Sequence, residues 1–359
     1  MPVITVTHAL GFYPVHVRTD GLAHAPEILR EALGHRHTIT VTDHTLAPKL
    51  AGWGLGALAD SPLTLPPGEA AKTREQWAAL TDQLVARGLD RDGVIIAVGG
   101  GSVGDLAGFV AATYLRGVPV VQVPTTLLAM LDASVGGKVG VDLPQGKNLV
   151  GAFHPPAAVI ADPAVLGSLP ERDYIGGLAE ALKHGLISDA AYLEWIVSNA
   201  AAIKARESSA VEHLVRRSVE IKASIVGADE REAGERASLN AGHTVAHALE
   251  QVTGFTLPHG EAVALGLLAE AALSDALGIS AGVAGRVRAA LSTFGLPTRA
   301  PAGLAAPAVR AAMATDKKNR GTELRFALVE AVGRAHRAGQ RWTVAVAPAR
   351  VEEAIETIL

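Results

Sequence analysis

Gly93-Val94-Ile95-Ile96-Ala97-Val98, followed at once by Gly99-Gly100-Gly101-Ser102-Val103-Gly104-Asp105, decides the fold class of this chain. The apolar run reads as a strand buried on both faces, as in a parallel sheet, and Leu106 to Leu115 read as the helix after it. Glycines at 99, 100, 101 and 104 let the backbone come close to a diphosphate, and a helix start offers unpaired N–H groups to the anion. Gly99, Gly101 and Gly104 satisfy the spacing G-x-G-x-x-G. The acidic residue that a dinucleotide unit carries about 20 positions later is missing, because the next strand, Val118 to Val123, ends in Pro124-Thr125-Thr126. A phosphate cradle and a glycine-rich turn without a ligand both remain open at this point.

Composition narrows the classes. With 359 residues, 49% of them hydrophobic, the chain can build two domains with sizeable cores. A net charge of −4 gives no reason to expect nucleic acid as a partner. No cysteine is present, which excludes disulfides and thiolate metal sites, so a metal would need His, Asp or Glu. Met1 to Val15 has no basic segment leading into an apolar core, and no apolar run is long enough to span a bilayer. A cytoplasmic protein with no membrane partner is therefore expected. Only nine of the 32 basic residues are lysine, and Lys72, Lys138, Lys147, Lys183, Lys222, Lys317 and Lys318 all fall in segments singled out below. Compact ammonium groups suit phosphate and carboxylate.

Up to about 165 the pattern alternates strand and helix. An opening hairpin (Val3 to Thr7, Tyr13 to Arg18), a strand His37 to Thr42, a helix Leu46 to Leu58, a strand Leu63 to Leu65 and a helix Thr73 to Arg87 are expected. Asp43, at a strand's carboxyl end, either supplies the missing ribose contact or caps a turn. Pro66-Pro67-Gly68-Glu69 forms a loop able to close over a nucleotide. Leu127 to Leu131 reads as a short helix. Lys138 to Leu143 and Lys147 to Val150 read as a hairpin turning at Pro144-Gln145-Gly146, and Ala158 to Ala161 as the last strand. The expectation is an α/β nucleotide-binding domain with a mostly parallel sheet over 1–165, then a mainly α-helical metal- and substrate-binding domain over 166–359. Helices are expected near 171–188, 190–205, 208–228, 237–253, 261–277, 281–294 and 305–315, and a closing one from Arg350.

The second half carries the candidate chemistry. His243 and His247 are four apart, which places both imidazoles on one side of a helix among small apolar residues. Thr244 stands where a zinc protease would have its glutamate, so that base is absent. Pro258-His259-Gly260-Glu261 supplies a third histidine, and Glu180 is a carboxylate in an otherwise apolar helix, with Lys183 one turn on. One Glu and two His would leave metal positions open to substrate oxygens. Two satisfied core histidines are the alternative. Lys222, Glu232, Arg236, Asn240 and Asp316-Lys317-Lys318-Asn319 extend the polar set.

Taken together, these segments make the chain resemble the 3-dehydroquinate synthase family of the shikimate pathway along nearly its full length. PPGEAAKT (66–73), GGGSVGDLAGFVAATYLRG (99–117), PTTLLAMLDASVGGKVGVDLPQGKN (124–148), GLAEALKHGLI (177–187), DEREAGERASLNAGHTVAHALE (229–250), HGEAVALG (259–266) and DKKN (316–319) carry the resemblance. It implies Glu180, His243 and His259 as ligands of Zn2+ or Co2+, with His247 a proton-handling neighbour. It implies Asp132, Lys138, Asn148, Lys183, Lys222, Arg236, Asn240, His247 and one of Lys317 and Lys318 as substrate contacts. Within that set Lys222 and Arg236 would hold a carboxylate, and Lys138, Asn148 and the late lysine a phosphate. Arg116 would reach a phosphate across a homodimer interface. Asp43, Gly68, Glu69, Lys72, Gly101, Ser102, Val103, Gly104, Asp105, Thr125, Thr126, Lys138 and Lys147 would lie against NAD. His247, Lys138, Glu180 and Asn148 are the expected catalytic set.

The implied reaction turns 3-deoxy-D-arabino-heptulosonate 7-phosphate into 3-dehydroquinate and phosphate. It runs through transient oxidation by NAD, phosphate loss, reduction and intramolecular aldol closure. Asp142, His184 and Ala246 stand where the family more often has Asn, Tyr and Gly. The alternatives are a sister cyclase acting on sedoheptulose 7-phosphate, which lacks the carboxylate, a metal-dependent polyol dehydrogenase, and an inactive NAD-binding module.

Overall fold

The computed structural model describes residues 3–313 and 323–359; Lys317 and Lys318, with Asp316 before them, lie outside the described residues. The chain forms two compact units, one comprising Met1–Leu169 with Val211–Gly227, the other Pro170–Ala210 with Ala228–Leu359.

The first unit is built on strands β1 (Val3–His8), β2 (Gly11–Val17), β3 (Thr38–Asp43), β4 (Leu63–Leu65), β5 (Val94–Gly99) and β6 (Val120–Pro124). A separate hairpin, β7 (Lys138–Leu143) with β8 (Gly146–Phe153), precedes the last sheet strand, β9 (Ala158–Ala161). The seven-stranded sheet has the order β1-β2-β9-β6-β5-β3-β4, and every neighbouring pair except β1 with β2 is parallel. All of β5 is buried, as its unbroken apolar run requires. From β3 the chain steps outward to β4, whereas from β5 it steps the other way to β6. The order thus reverses between β3 and β5, and Asp43 and Gly99 end those strands at the same edge. Ligands of open α/β sheets bind in that crevice.

Helices α1 (Ala25–Leu33), α2 (Arg74–Ala86) and α3 (Gly101–Thr113) belong to this unit. The structure starts α3 at Gly101, earlier than the expected Leu106, so Gly101 to Asp105 are its first turn. Close packing allows this: a Cβ on Gly104 would lie 2.6 Å from Oε1 of Gln122 in β6. The expected helix Leu46 to Leu58 is instead three short 3-10 pieces, Ala47–Lys49, Ala51–Trp53 and Gly56–Ala59. Gly54 at φ 77° and Gly56 at φ 54° interrupt it with left-handed backbone. Leu127 to Leu131 gives way to a π-helical turn, Ala129–Ala133.

The second unit is mainly helical: α4 (Glu171–Ser188), α5 (Ala190–Ser198), α6 (Ala200–Lys204), then, after α7 (Ser208–Ala228), α8 (His243–Val252), α9 (His259–Ala276), α10 (Val283–Phe294), α11 (Ala306–Met313) and α12 (Pro348–Glu356). Most of α7 belongs to the first unit, which a single cut at 165/166 does not anticipate. Its Val211, Leu214, Val215 and Val219 are buried, and Glu212 accepts the Thr19 N–H at 2.9 Å. The expected helix at 190–205 is split at Asn199, whose side chain donates to the Trp195 carbonyl. The one expected at 237–253 begins only at His243, after Gly242 at φ 81°. Among the described residues no helix is long and apolar enough to cross a membrane.

Two glycine contacts set the spacing of the second unit. A Cβ on Gly260 would sit 2.2 Å from the Gly176 carbonyl oxygen, and one on Gly266 would sit 1.9 Å from that of Gly242. Helix α9 therefore lies backbone-to-backbone against α4 and against the start of α8. By contrast a Cβ on Gly285, in α10, would meet nothing within 4 Å. We expect Gly260→Ala and Gly266→Ala each to lower unfolding free energy by about 3 kcal/mol, the upper end of overpacking costs. Gly285→Ala should raise it by about 0.5 kcal/mol. Denaturant midpoints of the three variants check the opposite signs.

Candidate active site

The glycine crossings bring three expected residues together. Gly176 lies one turn before Glu180 on α4, Gly260 follows His259 at the start of α9, and Gly242 precedes His243 at the start of α8. Glu180 Oε1 lies 3.4 Å from His243 Nε2 and 3.7 Å from His259 Nε2. The ligand atoms of the three residues all fall within 4.8 Å of one another. Glu180 is 1% exposed, and its Oε2 pairs with the Lys183 ammonium, which is equally buried. Burial alone would push the Glu180 carboxyl up, but Lys183, then His243, hold it well below the usual carboxylate range.

The two imidazoles diverge. Burial and the Lys183 charge press His243 down to about 4, against the pull of Glu180. Burial also opposes the charge on His259, yet the hydrogen bonds it donates to Glu180 and Glu250 outweigh it and raise His259 to about 9. Nδ1 of His243 faces the Ala241 carbonyl at 3.2 Å, while Nδ1 of His259 faces Glu250 Oε2 at 3.4 Å. His247 stands edge-on to His243 with ring centres 5.5 Å apart, and stacks toward His259 at 6.4 Å. Both helical histidines share one side of α8, as their spacing predicts.

Arg236 and Asn240 sit in the 3-10 turn Glu235–Asn240 before α8. Arg236 is 2% exposed and donates from Nη1 to the Glu230 carbonyl; Asn240 donates to Glu232. Asp229 shapes this turn by accepting the N–H groups of Ala233, Gly234 and Arg236.

In the first unit five of the expected cofactor residues, Glu69, Lys72, Ser102, Asp105 and Lys147, form one polar network centred on Lys72. Its Nζ lies 2.9 Å from Asp105 Oδ2, 2.6 Å from Asn148 Oδ1, 3.4 Å from Glu69 Oε1 and 3.8 Å from Asp142 Oδ1. Glu69 also accepts from Ser102 Oγ at 3.0 Å and lies 3.8 Å from Lys147 Nζ. Burial would raise Glu69, but Lys72 and Lys147 bring it down to about 2. Burial raises Asp105 and Asp142 against the attraction of Lys72. Asn148 takes left-handed backbone at φ 53°, and its N–H donates to Asp142 at 2.7 Å.

In α3 the helical bonds begin with Gly104 N–H to the Gly100 carbonyl at 3.1 Å, which leaves the N–H groups of Gly101, Ser102 and Val103 outside the helical ladder. The Val103 side chain is buried beneath Gly99, so it offers a ligand only backbone. Thr125 donates its N–H to Gly99, and Thr126 caps the next turn through Ala129 N–H. A second ion pair joins Lys222 Nζ to Asp132 Oδ1 at 2.8 Å. Asp43 Oδ1 accepts from Thr45 and Leu46 and so caps its own turn. Lys138 opens β7 at an exposed position, and exposed Arg116 has left-handed backbone at φ 70°.

Two buried carboxylates at the histidine cluster escape the motif reading. Glu250 backs His259, and Glu270 of α9 accepts Gly242 N–H at 2.7 Å and Val245 N–H at 3.2 Å. Because Gly242 has no side chain to cap α8, Glu270 supplies the missing acceptor. Each was visible as a lone Glu in an apolar helix, the signal that singles out Glu180.

Comparison with known proteins supplies a family. The profile described as 3-dehydroquinate synthase N-terminal matches residues 62–176, and that described as 3-dehydroquinate synthase C-terminal matches 177–319. The 3-dehydroquinate synthase of Halorhodospira halophila is 47% identical over 325 residues, covering 89% of this chain and 91% of that one. A solved structure of 2-deoxy-scyllo-inosose synthase, complexed with carbaglucose-6-phosphate, NAD+ and Co2+, shares the fold at TM-score 0.90 and 24% identity, with 100% of both chains covered. The 2-epi-5-epi-valiolone synthase of Streptomyces hygroscopicus, with NAD+ and Zn2+ bound, gives TM-score 0.85 and 28% identity over 100% of this chain and 99% of that one. The histidine cluster, the strand-end glycine turn and these matches lead to one conclusion: this chain belongs to the 3-dehydroquinate synthase family.

Proposed function

We propose that the chain is a cytoplasmic, homodimeric enzyme of the shikimate pathway, leading to chorismate and the aromatic amino acids. It converts 3-deoxy-D-arabino-heptulosonate 7-phosphate to 3-dehydroquinate and phosphate. The observation that carries this reading is the 47% identity to a 3-dehydroquinate synthase along 89% of the chain.

The residues fit the two groups such an enzyme needs. One carboxylate and two imidazoles with ligand atoms within 4.8 Å of one another suit Zn2+ or Co2+ and leave room for substrate oxygens. The first turn of α3, opening directly from a strand end beside the sheet's reversal point, suits the diphosphate of NAD. When bound, NAD would reversibly accept a hydride and the cation would acidify a substrate hydroxyl.

In the second unit Glu180, His243 and His259 would hold the cation, and His247 would take the proton leaving the hydroxyl. Arg236 is held by its own turn with its guanidinium buried, a preset partner for a carboxylate, and Lys183 and Asn240 would fix substrate oxygens. In the first unit Lys72, Glu69, Ser102, Asp105 and Lys147 form a rigid bank beside the α3 start that would hold the nucleotide, with Thr125, Thr126 and the backbone of Gly68 and Gly101 to Gly104. Asp43 would approach a ribose. On the same unit Lys138 and Asn148 would orient the phosphate, Lys222 a carboxylate and Asp132 a hydroxyl. Arg116, exposed beyond the end of α3, would serve the partner subunit's phosphate site.

Incubating the zinc-loaded protein with the heptulosonate phosphate and catalytic NAD should give phosphate and carbocyclic product in equal amounts without net NADH. Turnover of sedoheptulose 7-phosphate alone would assign a sister cyclase instead. His243→Ala should lose zinc, whereas His247→Ala should retain it and lose about 100-fold or more in turnover, as expected for a proton-transfer group. Equal zinc content in both variants would overturn that division of roles. Because His259 titrates at about 9 in the metal-free protein, the cation must displace its proton at neutral pH. Apparent zinc affinity should therefore rise with pH, about tenfold per unit from this group, and level off above its pKa. Competition titrations from pH 6.5 to about 8.5 check the slope.

A further inference from the structure

Glu250 is 2% exposed and lies on α8, the helix that carries His243 and His247. Its Oε2 faces Nδ1 of His259 at 3.4 Å, while Nε2 of the same ring faces Glu180 Oε1 at 3.7 Å. The ring is thus gripped at both nitrogens. Nδ1 of the other ligand, His243, faces the neutral carbonyl of Ala241, at 3.2 Å. None of the substrate, nucleotide or cation contacts assigned above uses Glu250, and a carboxylate this buried is costly unless it is paired.

We propose that Glu250 is a positioning residue of the metal centre. It accepts the Nδ1–H of His259 and so fixes the tautomer whose lone pair lies on Nε2, on the side of Glu180. The two imidazoles are then unequal donors: His259, backed by an anion, binds the cation more strongly than His243, backed by a peptide carbonyl. The backbone of Glu250 joins in, since its carbonyl accepts Phe255 N–H at 2.7 Å and ties down the short connection from α8 to His259.

This inference rests on the metal-centre reading, and zinc binding by the parent protein tests that reading separately. Zinc affinity is measured by competition with a chromophoric chelator for the parent chain, Glu250→Gln and Glu250→Asp. The visible spectrum of each Co2+-loaded protein and the melting temperature of each metal-free protein are recorded alongside. We expect Glu250→Gln to bind zinc about 10- to 100-fold more weakly and to shift the Co2+ bands. Should Glu250→Gln not fold, Glu250→Asp is read in its place, its carboxylate withdrawn by one methylene, with the same loss and band shift expected. Unaltered zinc affinity and Co2+ bands in the folded variant would overturn the proposal. So would a loss of affinity that accompanies a lowered metal-free melting temperature and an unshifted Co2+ spectrum, which marks a structural role. A parent protein that takes up no zinc would overturn the metal-centre reading itself.

Discussion

A carboxylate buried without partners costs several kcal/mol, and Glu180 is buried almost completely. Its stability depends on Lys183 one turn along its own helix and on two imidazoles from α8 and α9. Those partners can reach it only if three helices pack at backbone distance. Gly176 with Gly260 and Gly242 with Gly266 make that approach sterically possible. The electrostatic requirement and the packing requirement are therefore met by the same crossings. Glu270, capping the start of α8 from α9, holds the imidazole-bearing end of that helix in place without adding an unpaired charge.

The first unit solves the inverse problem around a buried cation. Lys72 is 3% exposed, and Asp105 from α3 and Glu69 and Asp142 from the neighbouring loop and hairpin surround it. Burial lowers the pKa of an isolated lysine, yet these carboxylates together raise that of Lys72 above its ordinary value. The result ties the loop after β4, the first turn of α3 and the hairpin β7–β8 into one body beside an anion-receptive helix start. Asn148 enters the same network with strained backbone, which an ordinary hairpin does not require.

Much of this was legible beforehand because it rests on local pattern. The strand from Val94, the hairpin from Lys138 and the helices Glu171–Ser188 and Ser208–Ala228 follow from periodicity and turn residues. The motif segments carried the resemblance, hence the expected set of Glu180, His243 and His259, which the fold brings within one cluster. Where expectation failed, a distant contact had overridden the local signal. The apolar spacing of Leu46 to Leu58 suggests a helix, but left-handed glycines cut it into single turns. Val211–Gly227 belongs to the first unit because of partners such as Thr19, far away in sequence.

The α/β start, the helical remainder, the absence of thiolate chemistry and the residue types able to hold a cation and a phosphate all follow from local pattern and composition. That Asp43 caps its own turn, that Val103 points inward, and that Glu250 and Glu270 stand behind the histidine cluster emerges once the chain is packed. The difference is one of range. Periodicity and capping act within a few residues, whereas pairing a buried charge depends on groups far apart in the chain that meet only once the helices have packed.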